Sequence, residues 1–117
     1  MKHLILFFSL LLLQQVSAGD SFFQDDEGML KAKAKELTKK YKAELDLTSS
    51  QTVQFEEMVA TYMIRKAKAK KLDVSAADKA VRMKQLYVQE SEDMEDILSK
   101  GQYKKYLKAK MELQPSS

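Results

Sequence analysis

The sequence contains no cysteine and no tryptophan, one proline (Pro115), three glycines and one histidine (His3) in 117 residues. Without cysteine there is no disulfide framework, the common support of small exported domains, and no thiolate for catalysis or metal binding. Past residue 18 there is no histidine either, which removes the usual zinc ligands and the commonest general acid–base. With proline confined to the far end, almost nothing interrupts helix formation. One long apolar run exists, Leu4 to Leu13 broken by Ser9, and it is too short for the roughly 20 residues that a bilayer span needs.

What is present divides the chain clearly. Lys2 and His3 precede that apolar run, and Val16-Ser17-Ala18 supplies small residues at cleavage-site positions, so residues 1–18 are expected to be a cleaved signal peptide. Residues 19–28, "GDSFFQDDEG", are expected to be a flexible acidic leader, 29–113 one helical domain and 114–117 a tail. After cleavage, 19 basic residues face 17 acidic ones, since only Lys2 is lost from the 20. That balance argues against nucleic acid as a partner. The expected location is the periplasm in a Gram-negative cell, and otherwise outside the cell.

Apolar spacing predicts four helices and an all-α fold. The first, near 27–45, carries Leu30, Leu37, Tyr41 and Leu45 on one stripe, with Lys31, Lys35, Lys39 and Lys42 off it. The second, near 49–71, has Phe55, Met58, Val59, Tyr62 and Ala69 inward and a weaker strip of Val53, Ala60, Ile64 and Ala67. The third, near 76–98, buries Met83, Leu86, Tyr87, Met94 and Ile97 and repeats the weaker strip as Ala77, Val81 and Val88. A fourth, near 100–113, presents Tyr103, Tyr106, Leu107 and Met111.

Two short stretches resemble each other. In "LTSSQ", Leu47 precedes Thr48, which is placed to cap the second helix, and Gln51 returns a bond in a capping box. In "LSKGQ", Leu98, Ser99 and Gln102 repeat the device. Two independent caps would account for the hydroxyl and glutamine residues without a shared role. Ser75, with Asp78, is the expected cap of the third helix.

A pair of Leu-Thr-x-x-Gln motifs in a small exported helical protein resembles the Spy/CpxP family of periplasmic proteins. The second motif departs from the pattern, with Ser99 for Thr and Gly101 inside the first helical turn. The resemblance implies a long, bent helical hairpin whose motifs start helices. It also implies a curved homodimer whose concave face binds unfolded client proteins without ATP. The resemblance implies a chaperone-like protein, and the lack of cysteine and of histidine past residue 18 leads to the expectation of no enzyme activity, no cofactor and no metal. The alternatives are a regulatory module docking on an envelope stress sensor and a generic secreted helical structural protein.

The residues expected to shape the scaffold are Leu47, Thr48, Gln51, Leu98, Ser99 and Gln102. Those expected to meet clients or a second copy are Val53, Ala60, Met63, Ile64, Ala67, Val81 and Val88, with the basic cluster Arg65, Lys66, Lys68, Lys70 and Lys71. That cluster also allows weak contact with anionic membrane surfaces. Met63 is the methionine expected to be available, because flexible thioethers suit varied apolar partners. The acidic run "ESEDMED" at 90–96 lacks the glycine-turned spacing of a calcium loop and is expected to face solvent.

Overall fold

The computed structural model describes the backbone of residues 17–115 and side chains from Asp26 onward. Most of the expected signal peptide, and the last two residues of the expected tail, lie outside the described residues. The described chain is all-helical. Four helices, α1 (Ser17–Leu45), α2 (Ser49–Lys70), α3 (Ala76–Met94) and α4 (Lys100–Leu113), follow in order with no strand among the described residues.

Helix α1 begins well before residue 27, so the segment expected to be a flexible leader is helical. No proline stands in its way, and Gly28 is only mildly unfavourable in a helix. One of its acidic residues also finds a partner: Asp26 pairs with Lys71 at 3.2 Å, near the end of α2. Leu30 shares a small crevice with Ile64 and Ala67 of that helix.

Helix α1 stops at Leu45 because Asp46 takes a left-handed conformation, φ 56°. The N–H groups of Asp46 and Leu47 then both donate to the Lys42 carbonyl, at 2.9 and 3.4 Å. This is a Schellman-type ending with Asp where Gly is usual. The N–H groups of Glu95, Asp96 and Ile97 bond carbonyls three residues back, so the chain beyond α3 tightens. The helix therefore ends at Met94, four residues short of the expected 98. Ser75 caps α3 through the Asp78 N–H at 3.1 Å.

Helix α1 packs against α2 and α4, and α2 packs against α3. The main core is aromatic at its centre. The Tyr41, Phe55 and Tyr106 rings lie 4.9 to 5.8 Å apart, tilted or edge-on. Ala34, Leu45, Leu47, Val59, Met94 and Leu98 complete it. Full burial of each large side chain is worth about 1.5–3 kcal/mol. A smaller cluster of Tyr62, Ala69 and Leu86 joins α2 to α3.

Two expected stripes are corrected. On α1, Ala34 and Thr38 are buried with Tyr41 and Leu45, whereas Leu30 and Leu37 are half-buried. Thr38 escapes an unpaired hydroxyl by donating to the Ala34 carbonyl at 2.6 Å. On α4, Leu107 and Met111 are exposed, while Tyr106 of the same set is buried together with Lys110.

Candidate functional site

Thr48 and Ser99 each accept the N–H of the glutamine three residues on, at 3.0 and 3.2 Å. Each glutamine Oε1 takes its own cap residue's N–H, at 3.0 Å in both copies. Both capping boxes are therefore closed. The two copies are also bonded to each other. Gln51 Nε2 donates to Gln102 Oε1 at 2.7 Å, and Gln102 Nε2 donates to Gln51 Oε1 at 2.9 Å.

The second N–H of each amide goes to a backbone carbonyl of the opposite half, in the turn after α3 for Gln51 and at the end of α1 for Gln102. Gln51 donates to the Ile97 carbonyl at 3.1 Å, and Gln102 to the Leu45 carbonyl at 3.3 Å. Helix ends such as Leu45 leave carbonyls without intrahelical partners. Each amide thus uses both donors and accepts two bonds on its oxygen, its usual capacity. Leu47 and Leu98 are buried beneath this seam, and Phe55 meets its counterpart Tyr106 edge-on at 5.8 Å. The two stretches are therefore one joint, and independent capping does not describe them.

A second polar feature was not legible as a site. Glu90 is completely buried, and its Oε1 receives Lys66 at 3.0 Å and Lys110 at 3.3 Å. Lys110 is buried as well. It donates to the Tyr87 carbonyl at 3.0 Å and the Ser91 hydroxyl at 2.8 Å, with its ammonium 4.0 Å from the Tyr87 ring centre. Burial holds the Lys110 ammonium below the usual lysine range, against the pull of Glu90. Glu90 Oε2 has no hydrogen-bond partner among the described residues, and the Tyr106 hydroxyl nears Ser91 without closing a bond of good geometry.

Burial, then the Glu90 charge, raises the Tyr41 and Tyr106 phenols. The Tyr41 hydroxyl donates to Gln114 at 2.8 Å. The Tyr62 hydroxyl donates to Asp93, and burial followed by that bond pushes it up to about 12. The acidic run 90–96 is therefore only partly solvent-facing. Glu90 is inside and Asp93 half-buried, while Glu92, Glu95 and Asp96 are exposed. The cluster joins α2, α3 and α4, and its carboxylate is neutralised by two ammonium groups.

The expected contact residues separate into two sets. Val53, Val81 and Val88 are exposed, at 60%, 56% and 45%. Val81 and Val88 line a shallow groove on α3 with Lys84, Gln85 and Gln89. Ala60 and Met63 are half-buried and pack on the main core, so Met63 is not the free thioether expected. Ile64 and Ala67 are half-buried beside α1.

The basic cluster is divided too. Lys66 points inward to Glu90, Lys71 pairs with Asp26, and Arg65 lies 4.9 Å over the Tyr62 ring. Lys68 and Lys70 are exposed. Among the described residues no group of His, Cys, Asp or Glu is placed to hold a metal ion, and no helix is long and apolar enough to cross a membrane. No family model, curated protein or solved structure matches the chain.

Proposed function

We propose that this chain is an exported, ATP-independent chaperone-like protein that holds exposed apolar segments of unfolded clients. The observation that carries this reading is the outer face of α3. Val81 and Val88 stand out in a shallow groove beside Lys84, Gln85 and Gln89, and α3 packs mainly on α2, leaving that face uncovered. Apolar side chains among long polar ones give a surface that accepts varied sequences without strong geometric demands.

The paired motifs add support through their likeness to the Spy/CpxP family, and the joint they form ties the start of α2 to the start of α4. In this reading two copies associate, and Val53 lies on a separate exposed position of α2 that a second copy or a client covers. Lysines and Arg82 on α3 give the first, salt-sensitive attraction, and the valines hold the client afterward.

The test is aggregation of a chemically denatured model protein, followed by light scattering with and without the mature chain. Scattering is expected to fall, and Val81→Asp with Val88→Asp is expected to abolish the effect while leaving the helical circular dichroism intact. Scattering unchanged by the unsubstituted protein would reject the reading. A single stoichiometric partner in pull-downs, with no effect on denatured proteins, would favour the sensor-docking alternative.

A further inference from the structure

The mild net charge conceals a local excess of lysine. Counted over all of Ser17–Leu45, six lysines of α1 meet six acidic residues, whereas α4 carries five lysines against Glu112 alone. Lys110 is buried, which leaves four exposed lysines on α4. The intervening residues 47–99 are nearly balanced, with eight basic and nine acidic side chains. Overall charge therefore says little about α4.

Helix α4 adds an apolar element to the basic side. Leu107 is 41% exposed and Met111 72% exposed, the largest exposure of any large apolar side chain among the described residues. Residues 104, 107, 108 and 111 follow the i, i+3, i+4, i+7 spacing that puts them on one helix face. Lys104 and Lys108, both exposed, therefore flank Leu107 and Met111. Lys100 extends the same side by one turn.

We propose that this outer face of α4 docks on an anionic lipid surface, with Leu107 and Met111 entering the headgroup region between Lys104 and Lys108. Charge complementarity selects the lipid's sign, because lysines near a membrane surface are attracted by anionic headgroups. The apolar pair selects lipid over other polyanions. A nucleic-acid backbone offers nothing to an exposed leucine and methionine, whereas the boundary between headgroups and acyl chains accepts both. Lysine stems also lie along that boundary while their ammonium groups stay in water. This surface is separate from the α3 groove, so lipid docking stands or falls independently of client binding.

The test is co-sedimentation of the mature chain with vesicles of phosphatidylcholine alone and of phosphatidylcholine mixed with phosphatidylglycerol. Binding is expected to the mixed vesicles only, and to weaken steeply between low salt and about 0.5 M salt, where screening is strong. Lys104→Glu with Lys108→Glu is expected to lower the bound fraction about tenfold or more, at the free energy typical of surface lysines. Leu107→Ser with Met111→Ser is expected to lower it several-fold, and Arg82→Glu with Lys84→Glu, on α3, to leave it unchanged. Four outcomes would overturn the proposal: no binding to either vesicle, equal binding to both, equal loss in the α3 control, or release from the vesicles by an equal charge of duplex DNA.

Discussion

The side-chain amides of Gln51 and Gln102 exchange two hydrogen bonds, at 2.7 and 2.9 Å, across 51 residues of chain. Each also holds a backbone carbonyl of the opposite half, so removing one amide unpairs groups in both halves. Gln51→Ala and Gln102→Ala are each expected to cost about 1–3 kcal/mol, the range for leaving half-buried polar groups unsatisfied. The double variant should lose less than the two singles together, with a coupling of about 0.5 kcal/mol or more. Urea denaturation of the four proteins checks this; strictly additive losses would mean the glutamines act only as separate caps.

Glu90 and Lys110 form an ion pair with neither partner in contact with water. Glu90→Ala is expected to destabilise by about 3–5 kcal/mol, because it strands a buried ammonium. Replacing both, Glu90→Met with Lys110→Met, should retain stability within about 1 kcal/mol or raise it, since the charges no longer have to be desolvated. Thermal melts of the single and double variants decide the matter. A double variant as unstable as Glu90→Ala would show that the ionic cluster supplies something packing cannot.

Alkaline pH should unfold the protein through its tyrosines. The Tyr62 phenol rises from its ordinary 10.0 to about 12, and burial raises Tyr41 and Tyr106 too. Below pH 10 both states keep these protons. Between about 10 and 12 the unfolded chain gives them up first, so stability falls as pH rises. Lys110 acts oppositely: its lowered value makes stability climb with pH up to its ordinary 10.5, above which that gain is complete. The urea midpoint is therefore expected to drop steeply past about pH 10.5, and Tyr62→Phe to flatten that drop.

The two hydroxyl caps and the left-handed Asp46 test the corners individually. Thr48→Ala and Ser99→Ala should each cost about 1 kcal/mol, the usual value of a lost N-cap. Asp46→Gly should stabilise by up to about 1 kcal/mol, because glycine occupies φ 56° without a Cβ clash. Chemical denaturation of the three variants measures both signs. A destabilised Asp46→Gly would indicate that the aspartate side chain stabilises the turn by more than its strain.

Much of the fold follows from local rules, which is why it was legible. Thr48, Gln51, Ser75, Ser99 and Gln102 act on neighbours three residues away, so caps and helix starts could be placed from short spacings. The bond between Gln51 and Gln102 joins residues 51 apart and depends on how four helices pack, so spacing alone left the two motifs independent. Glu90 and Lys110 were missed because charged residues on helices are usually solvated.

A signal for that pair did exist. The inward stripe of α3 runs Met83, Leu86, then Met94, and that of α4 runs Tyr106 then Leu113, with Glu90 and Lys110 filling the omitted inward turns. Opposite charges at inward positions of two helices mark a buried pair. Leu107 and Met111 were misplaced for the complementary reason: assigning the apolar residues inward left no room for the lysine that is there.

The last helix packs on the first, and the Tyr41 hydroxyl reaches Gln114 across 73 residues of chain. Closure of the molecule therefore waits for its carboxyl-terminal stretch. A chain emerging amino end first stays open-sided, with the Tyr41 and Phe55 rings lacking Tyr106, until its final fourteen-residue helix arrives.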